Sequence, residues 1–174
     1  GFHVHRGCLA IGARPTSAAL PAVSRTVVVL EDLVDVDNLG AMVRNAAAFG
    51  AEALVLSPRC ADPFYRKAIR VSMGNVFTLP IVRLDVWPDD LVTLRAAHGL
   101  TLVGAVLTPG AVPLATFRPT GPVALLLGSE GPGLSAAAMK VCDALVTIPM
   151  TGADSLNVAT AGAVCLYHLT QVRS

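Results

Sequence analysis

Five short runs of almost unbroken apolar residues punctuate the chain: TVVVL (26–30), ALVLS (53–57), LTLVGAV (100–106), VALLLG (123–128) and ALVTIP (144–149). A sixth, VFTLPIVRL (76–84), is interrupted by Pro80. None shows the every-other-residue polarity of a strand with one wet face. A strand that is apolar on both sides must be covered on both sides, which points to a parallel sheet between helical layers. The intervening stretches fit helices. Asn38 to Phe49 puts Met42, Ala46 and Phe49 on one side and stops at Gly50. Asp62-Pro63 is a cap and first-turn pair for a basic helix to about Val71. Pro88, Asp89 and Asp90 start another, closed by Gly99. Ser135 precedes a short helix to Val141, and Asp154 or Ser155 caps a last one to about Val172. The expected fold class is α/β: a three-layer parallel sheet with helices on both faces. Such sheets bind ligands outside the carboxyl ends of their strands. Every polar cluster of interest follows a strand: 31–44, 107–110, 128–134 and 149–157.

A chain of 174 residues suffices for one domain with a full core. Hydrophobic residues make up 53% and charged residues 14%, too apolar for disorder. This is also more apolar than a fully wet monomer surface needs, so part of it is expected to be covered by a second subunit. No apolar run reaches the length of a membrane span, and GFHVHRGCLAIG at the start lacks the apolar core of a secretion signal. Residues 1–14 read as a short strand with no local partner, as in a piece of a longer protein. Residues 15–25, with two Pro and two Ser, read as a linker. Residues 26–174 form the expected domain.

Cys8, Cys60, Cys142 and Cys165 are scattered, with no C-x-x-C pair, so structural zinc is not expected. Buried thiols in a cytoplasmic protein are. His3-x-His5 is too little for a metal site, and none is expected. The net charge of +1 announces no polyanion partner, yet Arg59, Arg66, Lys67 and Arg70 cluster. Residues 66 and 70 share a helical face, either a solvated surface or a nucleic-acid footprint. Glu31, Asp32, Asp35 and Asp37 form an acidic patch beside them in sequence.

Several familiar sites are missing. No G-x-G-x-x-G follows the first strand, neither Lys follows a Gly as in a phosphate-binding loop, and no G-x-S-x-G surrounds a Ser. DVDNLG (35–40) grazes a calcium loop, but Leu39 and Ala46 stand at two ligand positions.

Three blocks remain: NLGAMVRNAAAFG (38–50), LLLGSEGPGLS (125–135) and IPMTGADSLNVATA (148–161). In the second, Gly128, Gly131 and Gly133 let bare backbone approach a ligand or simply turn into a helix. Glu130 follows a buried strand and needs a partner, for which Arg44 is a candidate. In the third, a helix cap explains one polar residue, not the four of Thr151, Asp154, Ser155 and Asn157. In the first, Gly40 and Arg44 share a helical face, with Gly40 leaving clearance. Arg44 is either a surface residue paired with an acid such as Asp37 or part of a site.

Together these blocks resemble the signature motifs of the SpoU/TrmH family of RNA ribose methyltransferases, in the SPOUT superfamily. RKAIRVSMGNVFTLP (66–80) falls where that family has its Ser-x-Gly segment, and the likeness spans about 26–172. HVHRGCLAIGAR (3–14) resembles the tail of the small substrate-binding domain that often precedes the catalytic domain in this family; the rest of that small domain is not expected within these residues.

The resemblance implies a C-terminal deep trefoil knot whose loops bind S-adenosylmethionine. It implies cofactor contacts at Leu107, Gly128, Ile148, Met150 and Leu156, and methyl transfer to a ribose 2′-oxygen of tRNA or rRNA. Arg44 carries over as the catalytic residue, with Asn38, Glu130, Ser155 and Asn157 orienting it and the ribose. A guanidinium is a poor base, with a pKa above about 12, so anchoring a phosphate and stabilising the forming alkoxide suits it better. Arg59, Arg66, Lys67 and Arg70 become the RNA-binding candidates. A homodimer through the final helix and the 38–49 helix is implied. The alternatives are an RNA-binding or assembly module on the same fold, and an RNA base methyltransferase.

Overall fold

The computed structural model describes residues 12–14 and 19–172. Most of the expected N-terminal tail, with His3, His5 and Cys8, lies outside them, as do residues 15–18 of the expected linker. Among the described residues, seven parallel strands form one sheet. They are β1 (Thr26–Leu30), β2 (Ala53–Leu56), β3 (Ile81–Arg83), β4 (Thr101–Ala105), β5 (Val112–Pro113), β6 (Val123–Leu127) and β7 (Ala144–Thr147). Among the described residues, five α-helices accompany them: α1 (Val36–Ala48), α2 (Arg66–Val71), α3 (Asp89–His98), α4 (Ala136–Val141) and α5 (Val158–Gln171).

The sheet order is β3-β2-β1-β6-β4-β7-β5. Its centre is β1 beside β6, with Val28 opposite Leu125 and Leu30 opposite Leu127. Both strands are buried along their whole length. Their apolar runs serve two cores at once. Val28, Leu30, Leu125 and Leu127 pack into one core with Leu39, Met42 and Ala46 of α1 and Cys165, Leu166 and Leu169 of α5. Val27, Val29, Ala124 and Leu126 face the other with Leu91 of α3 and Ala138 of α4. The three-layer α/β arrangement therefore follows from the strands' lack of a polar face.

Helix α1 is held closely on two sides. A Cβ on Gly40 would lie 2.8 Å from Val71 Cβ and 2.9 Å from the Ala68 carbonyl oxygen, so α2 packs against bare backbone. A Cβ on Gly162 of α5 would lie 2.5 Å from Met42 Sδ. Gly40 thus serves helix packing rather than clearance for a ligand beside Arg44.

Several elements differ from expectation. VFTLPIVRL is a strand only at 81–83; residues 75–77 form a single 3₁₀ turn entered from Gly74 at φ 79°. Asp62 does not cap α2. Its side chain accepts from Phe64 N at 2.9 Å in a local turn, and the helix begins at Arg66. Helix α1 begins before Asn38, because Asp35 accepts from the N–H groups of Asp37 and Asn38. The cap of α5 is neither Asp154 nor Ser155 but Asn157, whose Oδ1 accepts from Ala159 N and Thr160 N. Strand β5, only two residues long, pairs with β7 at the edge of the sheet and matches none of the apolar runs. Cys60, Cys142 and Cys165 are free thiols, the first and last buried.

Candidate functional site

The carboxyl ends of β4, β6 and β7 open into a cavity of about 470 Å³. Its wall takes Leu107 and Thr108 after β4, Leu127 to Leu134 after β6, Ile148 and Met150 after β7, and Ser155 to Val158 at the start of α5. All five expected cofactor positions, Leu107, Gly128, Ile148, Met150 and Leu156, line it, as do Glu130, Ser155 and Asn157.

The 128–134 loop folds back on itself. Gly133 N donates to Ser129 O at 3.0 Å, with Gly131 at φ 84° and Gly133 at φ 71°. A Cβ on Gly128 would sit 2.0 Å from the Gly133 carbonyl carbon. Backbone crosses backbone there, so no side chain fits. Leu134 turns back into the core beside Ala138, and Ser135 caps α4 through its hydroxyl, which accepts from Ala138 N at 3.1 Å.

Three motif residues from three separate loops form a closed hydrogen-bonded triangle. Asn38 Nδ2 donates to Glu130 Oε1 at 2.5 Å. Asn157 Nδ2 donates to Asn38 Oδ1 at 2.8 Å and to Glu130 Oε1 at 3.3 Å. The opposite end of the Asn157 amide caps α5. One side chain therefore uses its oxygen for the helix and its nitrogen for the site. The two helices are also tied by Asn45 Nδ2, which donates to Ala159 O at 2.8 Å.

Arg44 is not part of this triangle, and Glu130 is not its partner. Six residues separate Arg44 from Asn38, which at 3.6 residues per turn places them roughly 120° apart around α1. Arg44 is exposed, and it is not paired with Asp37, whose carboxylate accepts from Lys67 Nζ at 2.6 Å. Ser155 is exposed at the cavity wall.

The basic cluster and the acidic patch meet rather than stand apart. Arg59 pairs with Asp32 and Lys67 with Asp37. Burial alone would raise the Asp32 carboxyl, but hydrogen bonds from Arg59 and Ser57 hold it below its usual range. Arg66 and Arg70 lie on the exposed side of α2. Asp35 is a helix cap and Glu31 is buried, so the patch is four residues with four separate jobs. Among the described residues no three His, Cys, Asp or Glu groups gather to hold a metal, and no helix is long and apolar enough to cross a membrane.

The cavity sits among the second and third sequence blocks, with the first touching it through Asn38. The sequence profile of the SpoU rRNA Methylase family matches residues 25–167, most of the chain. The chain belongs to this family. A tRNA/rRNA methyltransferase of Mycobacterium tuberculosis, itself uncharacterized, is 44% identical over 98% of this chain and 62% of its own length. The 23S rRNA (guanosine(2553)-2′-O)-methyltransferase RlmP of Bacillus subtilis is 38% identical over 85% of this chain and 59% of its own. Among solved structures, the SpoU methyltransferase AviRb of Streptomyces viridochromogenes, in complex with the cofactor AdoMet, superposes with a TM-score of 0.83. It is 34% identical, covering 91% of this chain and 66% of that one. The chain thus spans about three-fifths of the length of these two curated relatives. The family likeness of the three blocks is borne out, as is the parallel α/β sheet.

Sequence reasoning passed over Glu31 as one member of an acidic patch. The residue is 3% exposed, and its carboxylate accepts from Ser135 N and Trp87 Nε1. The available signal was an acid directly after a fully apolar strand, the same signal that singled out Glu130.

Proposed function

We propose that the chain is the catalytic domain of an S-adenosylmethionine-dependent RNA methyltransferase that modifies a ribose 2′-hydroxyl of tRNA or rRNA. The observation that carries this is the cavity at the carboxyl ends of β4, β6 and β7, with the Asn38–Glu130–Asn157 triangle at its edge. Its volume lies in the range of small-molecule sites. Its lining suits the cofactor: Leu107, Ile148, Met150 and Leu156 offer apolar contact, and the bare backbone at Gly128 offers close approach. A family member of the same fold holds AdoMet. The family's deep trefoil knot, formed by these loops, belongs to the same reading, as does a cytoplasmic location.

When bound, S-adenosylmethionine supplies an electrophilic methyl group on a sulfonium. Transfer to the 2′-oxygen would break the carbon–sulfur bond with its electron pair left on sulfur, and the hydroxyl proton would pass to the Glu130 oxygen that receives it. The reaction is an in-line displacement, so orientation dominates. Glu130 uses one oxygen to receive both amides; its other oxygen accepts the ribose hydroxyl. Asn38 and Asn157 fix that carboxylate against the start of α5. Ser155 lies at the same wall and orients the ribose. Arg44, on the exposed side of α1, anchors the neighbouring phosphate of the RNA. Arg59, Arg66, Lys67 and Arg70 track the RNA backbone. The exposed sides of α1 and α5, including Val164 and Tyr167, meet a second copy in a homodimer.

The test is to incubate the full-length protein with total RNA and methyl-labelled cofactor, then hydrolyse the RNA in alkali. Ribose methylation blocks cleavage at the marked nucleotide and leaves label in an alkali-stable dinucleotide. Label in mononucleotides shows base methylation, and RNA bound with no label and no heat on adding the cofactor favours an RNA-binding module. Arg44→Ala is expected to lose turnover while keeping its fold.

A further inference from the structure

We propose that Glu31 is a positioning residue that locks the closing end of the glycine loop and connects it to Trp87. This rests on the reading of the cavity as a cofactor site. Glu31 follows β1, and its backbone N–H extends the sheet by donating to Leu127 O at 2.9 Å. The residue is 3% exposed. One carboxylate oxygen accepts from Ser135 N at 2.8 Å and the other from Trp87 Nε1 at 2.5 Å.

Each partner matters for a different reason. Ser135 ends the 128–134 segment and caps α4, so its N–H marks the exact span over which the loop must fold back. Gly128 at the other end is pressed against Gly133 with no room for slack. Fixing Ser135 to β1 therefore fixes the path of Ser129 to Leu134, which forms one wall of the cavity. Trp87 stands just before α3, on the second face of the sheet. A buried carboxylate without these two donors would carry a large desolvation cost, so the three groups are held together or not at all. Glu31 does not itself line the cavity and bonds to no member of the triangle; its carboxylate acts on the loop through Ser135.

Trp87 is the chain's single Trp, which makes the connection readable by intrinsic fluorescence. S-adenosylmethionine is titrated into the 174-residue chain while emission and binding heat are recorded. The wild type is expected to bind with a change in Trp87 emission. Glu31→Gln keeps an oxygen for Ser135 but presents an amide to the indole. It is expected to weaken cofactor binding by about tenfold and to lose most of the emission change. Glu31→Ala should weaken binding further. Equal affinity and an equal emission change in a folded Glu31→Gln protein would overturn the proposal, as would a wild-type Trp87 signal indifferent to bound cofactor. A lowered melting temperature with unchanged affinity would mean a merely structural acid and also overturns it. If the Gln variant does not fold, the wild-type emission decides. A wild type that binds no cofactor by heat sinks the cavity reading instead.

Discussion

The starts of α1 and α5 solve the same problem with different economy. Both helices need an oxygen to receive their first free N–H groups. At α1, Asp35 does only that, accepting from Asp37 N and Asn38 N. At α5, Asn157 caps with its oxygen and donates from its nitrogen to Asn38 and Glu130. A carboxylate would cap either helix well and would complement the helix dipole. Only an amide can also give hydrogen bonds to a neighbouring carboxylate. The residue type at each position reflects whether the helix start has one task or two.

The sharpest way to break this contrast is Asn157→Asp. The cap survives, but a second carboxylate now faces Glu130 where a donor stood. We expect melting temperature to change by little and methyl transfer to fall on the order of a hundredfold, the scale of losing one oriented polar group at a reacting centre. Full turnover in this variant would show that the triangle has no part in the reaction. Next in size is Gly40→Ala in α1. The new methyl meets Val71 Cβ and the Ala68 carbonyl. Overpacking of about 1–3 kcal/mol should outweigh the gain in helix propensity of about 1 kcal/mol, seen as a lower denaturation midpoint. A stabilised variant would mean that α2 yields freely. Asp35→Ala is smaller and purely structural. Losing one cap costs about 1 kcal/mol, or roughly 2–4 °C in a chain of this size, with turnover per folded molecule unchanged. A matching loss of turnover would erase the distinction between the two caps.

The smallest effect concerns the inner face of α5. Burial pushes the Cys165 thiol up to about 12, and the Cys142 thiol, beside Asp143 and Glu31, up to about 11. Both stay protonated through pH 8, because a raised thiol pKa leaves little thiolate below it. Iodoacetamide at pH 8 should therefore leave both unmodified until denaturant is added. Cys165 labelling in native buffer would reveal that α5 detaches readily while α1 stays docked.

The sheet was legible because two-sided burial writes itself into β1 and β6 as unbroken apolar runs. The helix starts were harder. Asp62, Asn38 and Ser155 all have side chains that cap well, and local chemistry alone does not choose among neighbouring candidates. The choice is made by distant partners: Asn38 is spent on Glu130, 92 residues away, which leaves α1 to Asp35. VFTLPIVRL misled because its apolar residues fill the space beneath a 3₁₀ turn as well as a strand; Val76 and Leu79 are buried in the core without strand geometry. The 112–113 strand is too short to leave a pattern. The residues lining the cavity were named by family resemblance, not by periodicity. Arg44's separation from Glu130 follows from simple helix geometry once the true partners of Glu130 are known.

Strand order also sets a timetable. Val28 sits beside Leu125, so the middle of the sheet waits for a segment made long after its neighbour. The first three strands can associate as they leave the ribosome, yet β1 keeps one naked margin until residues 123–127 arrive. An interrupted translation product ending before that point would present a raw hydrophobic edge, a template for sticking to other chains.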